Sequence, residues 1–263
     1  MKLKIYQIDA FTDKVFSGNP AAVCPLDKWL SDELMQKIAM ENNLSETAFY
    51  VKHGNEYQIR WFTPTIEVDL CGHATLAAAF VLFNFENYQD TLIEFFSPRS
   101  GLLTVKKQED LLVMNFPVDT FERIESFSEL TNGFDIKPIE VLKGISNYMF
   151  VYNNENQIKE LTPKLDQISK LNSLGVIVTA KGDKVDFVSR FFAPQSGIKE
   201  DPVTGSAHTT LTPYWAKKLG KNVLTAIQLS ERKGFLKCNY LSDRVEICGQ
   251  GKLYLIGEIH VEE

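Results

Sequence analysis

The chain is written twice. Arg60-Trp61-Phe62-Thr63-Pro64 returns as Arg190-Phe191-Phe192-Ala193-Pro194, an offset of 130. Upstream, Leu44-Ser45-Glu46-Thr47 faces Leu174-Gly175-Val176-Ile177 at the same offset. Downstream, Gly72-His73-Ala74 faces Gly205-Ser206-Ala207, and Ser100-Gly101-Leu102-Leu103 faces Lys233-Gly234-Phe235-Leu236, both at 133. One small insertion before Gly205 reconciles the two offsets, and twice the period nearly fills the 263 residues. Such a repeat predicts two similar halves, 1–117 and 118–263, with a cleft between them. Places where the copies differ are where chemistry is to be sought.

Composition excludes several classes. With 44% hydrophobic residues and 11% aromatics the chain can fill packed cores. The formal charge of −6 offers no basic stripe to displace counterions from phosphates, so nucleic acid is not expected as a partner. The opening Met1-Lys2-Leu3-Lys4-Ile5-Tyr6 lacks the apolar stretch of a signal peptide, and no run is long enough to cross a membrane. Cys24, Cys71, Cys238 and Cys248 show no paired spacing, which together with the missing leader predicts reduced thiols in a cytoplasm.

The apolar pattern predicts a strand over residues 2–11 and a turn at Ser17-Gly18-Asn19-Pro20. A helix capped by Ser31 should stop at Asn42-Asn43, followed by strands at 46–53 and 56–63. From Gly72 to Phe83 apolar residues fall on every side of a helix, which requires burial all round. Strands at 91–97, 100–108 and 110–116 follow it, so the economical picture is a curved sheet wrapped around one central helix. The second half predicts strands at 146–153, 174–181 and 184–193 and a helix over Pro163–Asn172. It adds a second central helix at 205–219 closed by Gly220, with Pro213 expected to kink it. Strand-like runs fill 224–260, and residues 118–145 are assigned to the linker.

Nucleotide-binding glycine loops, a GxSxG elbow and an HExxH pair are all absent. His53, His73, His208 and His260 have no metal-ligand spacing, so neither a metal nor an organic cofactor is expected. Two polar clusters remain, Glu67 to His73 and Glu200 to His208, each at the start of a central helix. A helix start offers free N–H groups and partial positive charge, and glycine lets an anion approach the backbone. Two such starts facing one cleft would bind a carboxylate or a developing oxyanion. Asp69 and Asp201 are equally readable as simple helix caps, although that reading leaves His73 unexplained.

In the ungapped comparison of the halves Glu46 faces Val176, a carboxylate against an apolar residue. Desolvation pushes a carboxylate's pKa up, toward the range useful for proton transfer. A solvent-facing glutamate at a strand start is the other reading. Cys71 faces Thr204, which cannot serve as a thiolate base, so Cys71 reads as a small residue filling space before the helix.

The chain resembles the PhzF-like family of phenazine biosynthesis, whose fold is shared with diaminopimelate epimerase. The matching stretches are Asp9-Ala10-Phe11-Thr12, Gly18-Asn19-Pro20-Ala21-Ala22-Val23 and Asn43-Leu44-Ser45-Glu46-Thr47. They continue through Arg60-Trp61-Phe62-Thr63-Pro64, residues 69–75 and Asp201-Pro202-Val203-Thr204-Gly205-Ser206-Ala207-His208, in order across both halves. The resemblance implies an α+β fold of two pseudo-symmetric domains, each a β-barrel-like sheet wrapped around a central helix. It implies a cofactor-independent isomerase, commonly a homodimer, acting in the interdomain cleft. By motif, Glu46 corresponds to the family's proposed general acid/base, and His73 and Asp201 to the residues that orient and polarise the substrate. Ser45, Gly72, Gly205 and Ser206 are the implied substrate-binding positions.

The resulting expectation is an isomerase that moves a proton within a small carboxylated substrate. An amino-acid racemase or epimerase is an alternative, and a non-catalytic partner-binding protein on the same fold is another. Phenazine synthesis itself is only one biosynthetic process such a fold could serve.

Overall fold

The structure is a computed structural model describing residues 1–125 and 128–262. The first strands are β1 (Lys2–Ala10) and β2 (Asn19–Leu26), followed by α1 (Asp32–Asn42), β3 (Glu46–His53), β4 (Glu56–Phe62) and β5 (Glu67–Val68). Then come α2 (Gly72–Phe85), β6 (Leu92–Ser97), β7 (Gly101–Gln108), β8 (Leu111–Pro117), β9 (Phe121–Arg123), β10 (Glu140–Gly144) and β11 (Asn147–Val151). Two short helices, α3 (Glu155–Glu160) and α4 (Leu165–Ile168), precede β12 (Gly175–Lys181), β13 (Phe187–Ala193) and β14 (Ile198–Asp201). The chain ends with α5 (Ala207–Leu219), β15 (Val223–Gln228), β16 (Gly234–Tyr240), β17 (Arg244–Gly249) and β18 (Gly251–His260).

Two compact units result, Met1–Asn115 with Cys248–Glu263, and Phe116–Ile247. The expected second half, 118–263, is therefore corrected at its end. β18 runs antiparallel to β1 along nearly its whole length, from Lys2↔His260 to Ala10↔Gly251, and that pairing draws it into the first unit.

Within each unit the ladder repeats. In the first, β1–β2 is antiparallel, β2–β3 parallel, β3–β4 and β4–β5 antiparallel, β4–β6 parallel and β6–β7 antiparallel. In the second, β10–β11, β11–β12, β12–β13, β13–β14, β13–β15 and β15–β16 follow the same sequence of orientations. Register refines the comparison of the copies. Phe62 pairs with Thr47, whereas its counterpart Phe192 pairs with Val176. The connection is one residue longer in the second unit, so Glu46 corresponds to Gly175 and not to Val176. A Cβ on Gly175 would lie 2.5 Å from Cζ of Phe191 and 2.8 Å from the Phe192 carbonyl oxygen.

Burial explains why the central strands and helices have no polar face. The first six residues of β3 are all buried, and the strand contacts both α2 and α1. His73 through Ala79, Val81 and Leu82 of α2 are buried, and full burial of each large aliphatic chain contributes roughly 1.5–3 kcal/mol. On the outer face, Met35, Ile38 and Ala39 of α1 pack with Phe49, Val51 and Phe62. The second unit places Ile158 and Ile168 against Val176, Val178 and Phe192.

α5 continues through Pro213 as one element. Proline cannot donate to the carbonyl of Thr209, and the backbone N–H of Asp119 donates to it instead at 3.3 Å. Of the helix expected over 163–172 only the single turn α4 (Leu165–Ile168) forms, and α3 (Glu155–Glu160) lies ahead of that span where no helix was expected. Arg190 donates through Nη1 to the carbonyls of Ile158 and Leu161, satisfying the end of α3 where a continuous helix would have used its own N–H groups. Residues 118–145, expected as linker, contain β9 and β10, paired with each other. β2, read as a turn followed by no element, is a strand held between β1 and β3.

Candidate active site

In each unit an arginine fixes the turn that leads into the central helix. Arg60 of β4 grips Glu67 of β5 through two bonds, Nε–Oε1 at 2.7 Å and Nη2–Oε2 at 2.9 Å. Arg190 of β13 grips Glu200 of β14 in the same way, at 2.7 and 3.0 Å. Bidentate forks of this kind fix direction as well as distance. Each guanidinium also lies over a ring, Phe62 or Phe192. The segments Val68–His73 and Asp201–Ser206 follow directly.

Glu46, the first residue of β3, is buried, and so is His73, the second residue of α2. Their side chains meet, with His73 Nε2 3.0 Å from Glu46 Oε2. On the other side of the imidazole, Asn19 Nδ2 is 3.2 Å from Nδ1. Cys71 Sγ lies 3.5 Å from Nδ1 and 3.9 Å from Nε2. Burial opposes a charge on His73, but the neighbouring Cys71 and Glu46 outweigh it and hold its pKa well above the ordinary value. Burial, aided by the Glu46 charge, pushes the Cys71 thiol up to about 11. Glu46, Cys71 and His73 therefore form one buried, interacting cluster, in which His73 is the group its neighbours favour as a cation.

Cys71 is the N-cap of α2 yet makes no side-chain cap bond. Asp69 does not cap the helix either: it is exposed and paired with Arg99 at 3.0 Å. Ser45, half-buried, immediately precedes Glu46, and Gly72, half-buried, begins α2.

The second unit builds a different polar group at the equivalent place. Asp201 is buried and its Oδ2 accepts from Thr204 Oγ1. Gln228 of β15 accepts from the Thr204 N–H at 2.8 Å and donates to the Asp201 carbonyl at 2.7 Å. Asp201 thus braces a turn and is not a cap: the N-cap of α5 is Ser206, whose side chain makes no cap bond. Gly205 is buried and Ser206 exposed. His208 is fully buried, its Nδ1 2.9 Å from the Thr204 carbonyl oxygen, and burial lowers its pKa to about 4. Register places Val68 opposite Asp201, because Trp61 pairs with the former and Phe191 with the latter. Each unit thus carries a buried acid at a position where the other has none.

The structure joins Glu46 to His73 and adds two partners that sequence reasoning gave no role, Asn19 and the Cys71 thiol. It also adds Thr204 and Gln228 around Asp201. Asn19 carried one signal, the turn before it. Gly18 has a φ of +66°, and a Cβ there would lie 2.1 Å from the Ala10 carbonyl oxygen, so the approach to Asn19 requires glycine.

Repeated units of sheet around a central helix define the α+β class of diaminopimelate epimerase-like folds. A hydroxyproline epimerase from Agrobacterium vitis shares that fold at a TM-score of 0.62 and 9% identity, over 98% of this chain and 92% of that one. The sequence matches the PhzC-PhzF family, described as phenazine biosynthesis-like protein, over residues 8–255, and the chain belongs to that family. It is 49% identical over 261 residues to a protein of Pseudomonas aeruginosa named an uncharacterized isomerase, covering 99% of this chain and 100% of the relative. A crystal structure of a PhzF-family protein from Enterococcus faecalis superposes with a TM-score of 0.96 at 48% identity, covering 99% of this chain and all of the other. Among the described residues, no helix is long and apolar enough to cross a membrane.

Proposed function

We propose that the protein is a cofactor-independent isomerase that moves a proton between carbons of a small carboxylated substrate. The observation that carries this reading is the buried Glu46–His73 pair at 3.0 Å. Glu46 takes a proton from a carbon beside a carbonyl or carboxylate, and the electron pair of the C–H bond passes into an enolate. The same carboxyl then returns the proton to another carbon of the bound molecule. His73, held cationic, stabilises the carboxylate before transfer and the negative charge as it develops on the substrate. Asn19, with its amide oxygen turned to accept the Nδ1–H, fixes the plane of the imidazole. In the second unit, Asp201 with the Gly205–Ser206 turn is proposed to bind polar groups of the substrate. Relatives named isomerases support the reaction class.

The test is Glu46→Gln, which keeps the shape and removes the base. Incubated in D2O with a panel of small unsaturated and amino acids, the native protein is expected to incorporate deuterium into one of them. The variant should lose that exchange by roughly 10²–10⁴-fold while the acid still raises its melting temperature. Exchange at the native rate in the variant rejects the mechanism.

The Cys71 thiol, 3.5 Å from His73, motivates a second reading, racemisation at an amino-acid α-carbon. Its high pKa and the Thr204 at the equivalent position of the second unit weigh against a two-thiol reaction. Cys71→Ser distinguishes them: it leaves a Glu46 reaction running and stops a thiol reaction.

A further inference from the structure

We propose that Glu46, Cys71 and His73 form a binding site for a soft divalent cation, zinc above all, and that a bound ion silences the acid/base pair. A thiol, an imidazole and a carboxylate make a zinc donor set of three protein ligands that leaves a fourth position open. One ligand atom from each residue lies within 4.8 Å of the other two. In a tetrahedral site with bonds of about 2.0–2.3 Å, neighbouring ligand atoms stand roughly 3.3–3.8 Å apart. His73 Nε2 is 3.0 Å from Glu46 Oε2 and 3.9 Å from Cys71 Sγ, so small rotations bring all three onto one ion.

The surroundings fit this role. With Nε2 on the ion, Nδ1 carries the proton and points at the Asn19 side-chain amide, which accepts it once its oxygen faces the ring. An oriented partner on the far nitrogen is the usual companion of a metal-binding imidazole. Each of the three residues keeps a small exposed fraction, 8% for Glu46, 7% for Cys71 and 5% for His73, so the group is not sealed. Binding replaces the S–H proton of Cys71 with the metal and releases that proton to solvent, together with the proton of the imidazolium, so affinity rises with pH. Histidine spacing could not show this site, because the carboxylate comes from β3 and the other two ligands from the start of α2. The binding half of the proposal stands apart from the isomerase reading; the silencing half rests on it.

Cobalt(II) is the probe, because a thiolate–cobalt bond gives a charge-transfer band in the near ultraviolet. The purified full chain, titrated with Co²⁺ without oxygen, is expected to develop that band and to lose it when Zn²⁺ is added. Cys71→Ser should abolish the band, and His73→Asn should weaken Co²⁺ retention roughly tenfold or more. Circular dichroism establishes that both variants are folded. Failure of the native chain to form the band, or a band that survives in Cys71→Ser, overturns the site. Silencing is read separately, from deuterium incorporation with Zn²⁺ and after its removal by chelator. Exchange that continues with the site filled overturns the silencing half and points away from Glu46 as the proton carrier, while the binding site remains.

Discussion

Glu46 and Gly175 occupy the same register position in the two units, one a buried carboxylate and the other no side chain at all. Phe191 fills the space that a side chain at Gly175 would need. The proposed proton carrier therefore exists in one copy only. Glu46→Asp is expected to retain the charge but withdraw it by about one methylene, costing roughly a hundredfold in solvent-exchange rate. A fully active Glu46→Asp enzyme contradicts the need for the 3.0 Å placement against His73.

His73 links that placement to pH. Its folded-state pKa is raised above 6.5, so the stability it contributes is complete below 6.5 and is lost as pH rises through the raised value. Thermal unfolding followed from neutral to alkaline pH should show a decline that is missing in His73→Asn. An unchanged slope in that variant contradicts the charged-imidazole assignment.

His208 acts in the opposite sense. Its pKa falls from 6.5 to about 4, so the unfolded chain takes up a proton between those values and the folded one does not. Stability is full above 6.5 and falls as the solution is acidified toward 4, by roughly 3 kcal/mol at about 1.4 kcal/mol per unit. His208→Asn, which can still donate to the Thr204 carbonyl, should flatten this acid limb in denaturant titrations. An acid limb as steep as the native one counts against the assignment.

The arginine clamps should matter for folding more than their surface count suggests. Arg190→Ala removes the fork to Glu200 and the donors to the Ile158 and Leu161 carbonyls together. It is expected to cost about 2–4 kcal/mol, with Arg190→Lys recovering only part because an ammonium cannot form the fork. Guanidinium unfolding of the two variants measures both.

Much of this architecture was legible where side-chain pattern and backbone agree. β3 begins at Glu46 and ends at His53 as its β-branched and aromatic run predicts, and the apolar girdle of α2 required a buried helix. Ser31 caps α1 through the Leu34 N–H, and Asn43 ends it in the left-handed conformation. What was hidden depended on distant partners. β2 starts with Asn19-Pro20, residues of turn chemistry, and becomes a strand only because β1 and β3 flank it. The short β10 gains its place from β9 and β11. In the site, Glu46 and His73 were visible as motif residues, but Asn19 and Gln228 reach their partners across the fold, 54 and 24 residues away.

β18 has a consequence for the order in which the protein can be completed. Nearly all of the first unit is made before the second begins, yet β1 lacks one neighbour until residues 251–260 have been synthesised. On the ribosome the earlier unit must wait with an open sheet edge while the later one finishes. The unit that carries Glu46 and His73 is first in sequence and last to close.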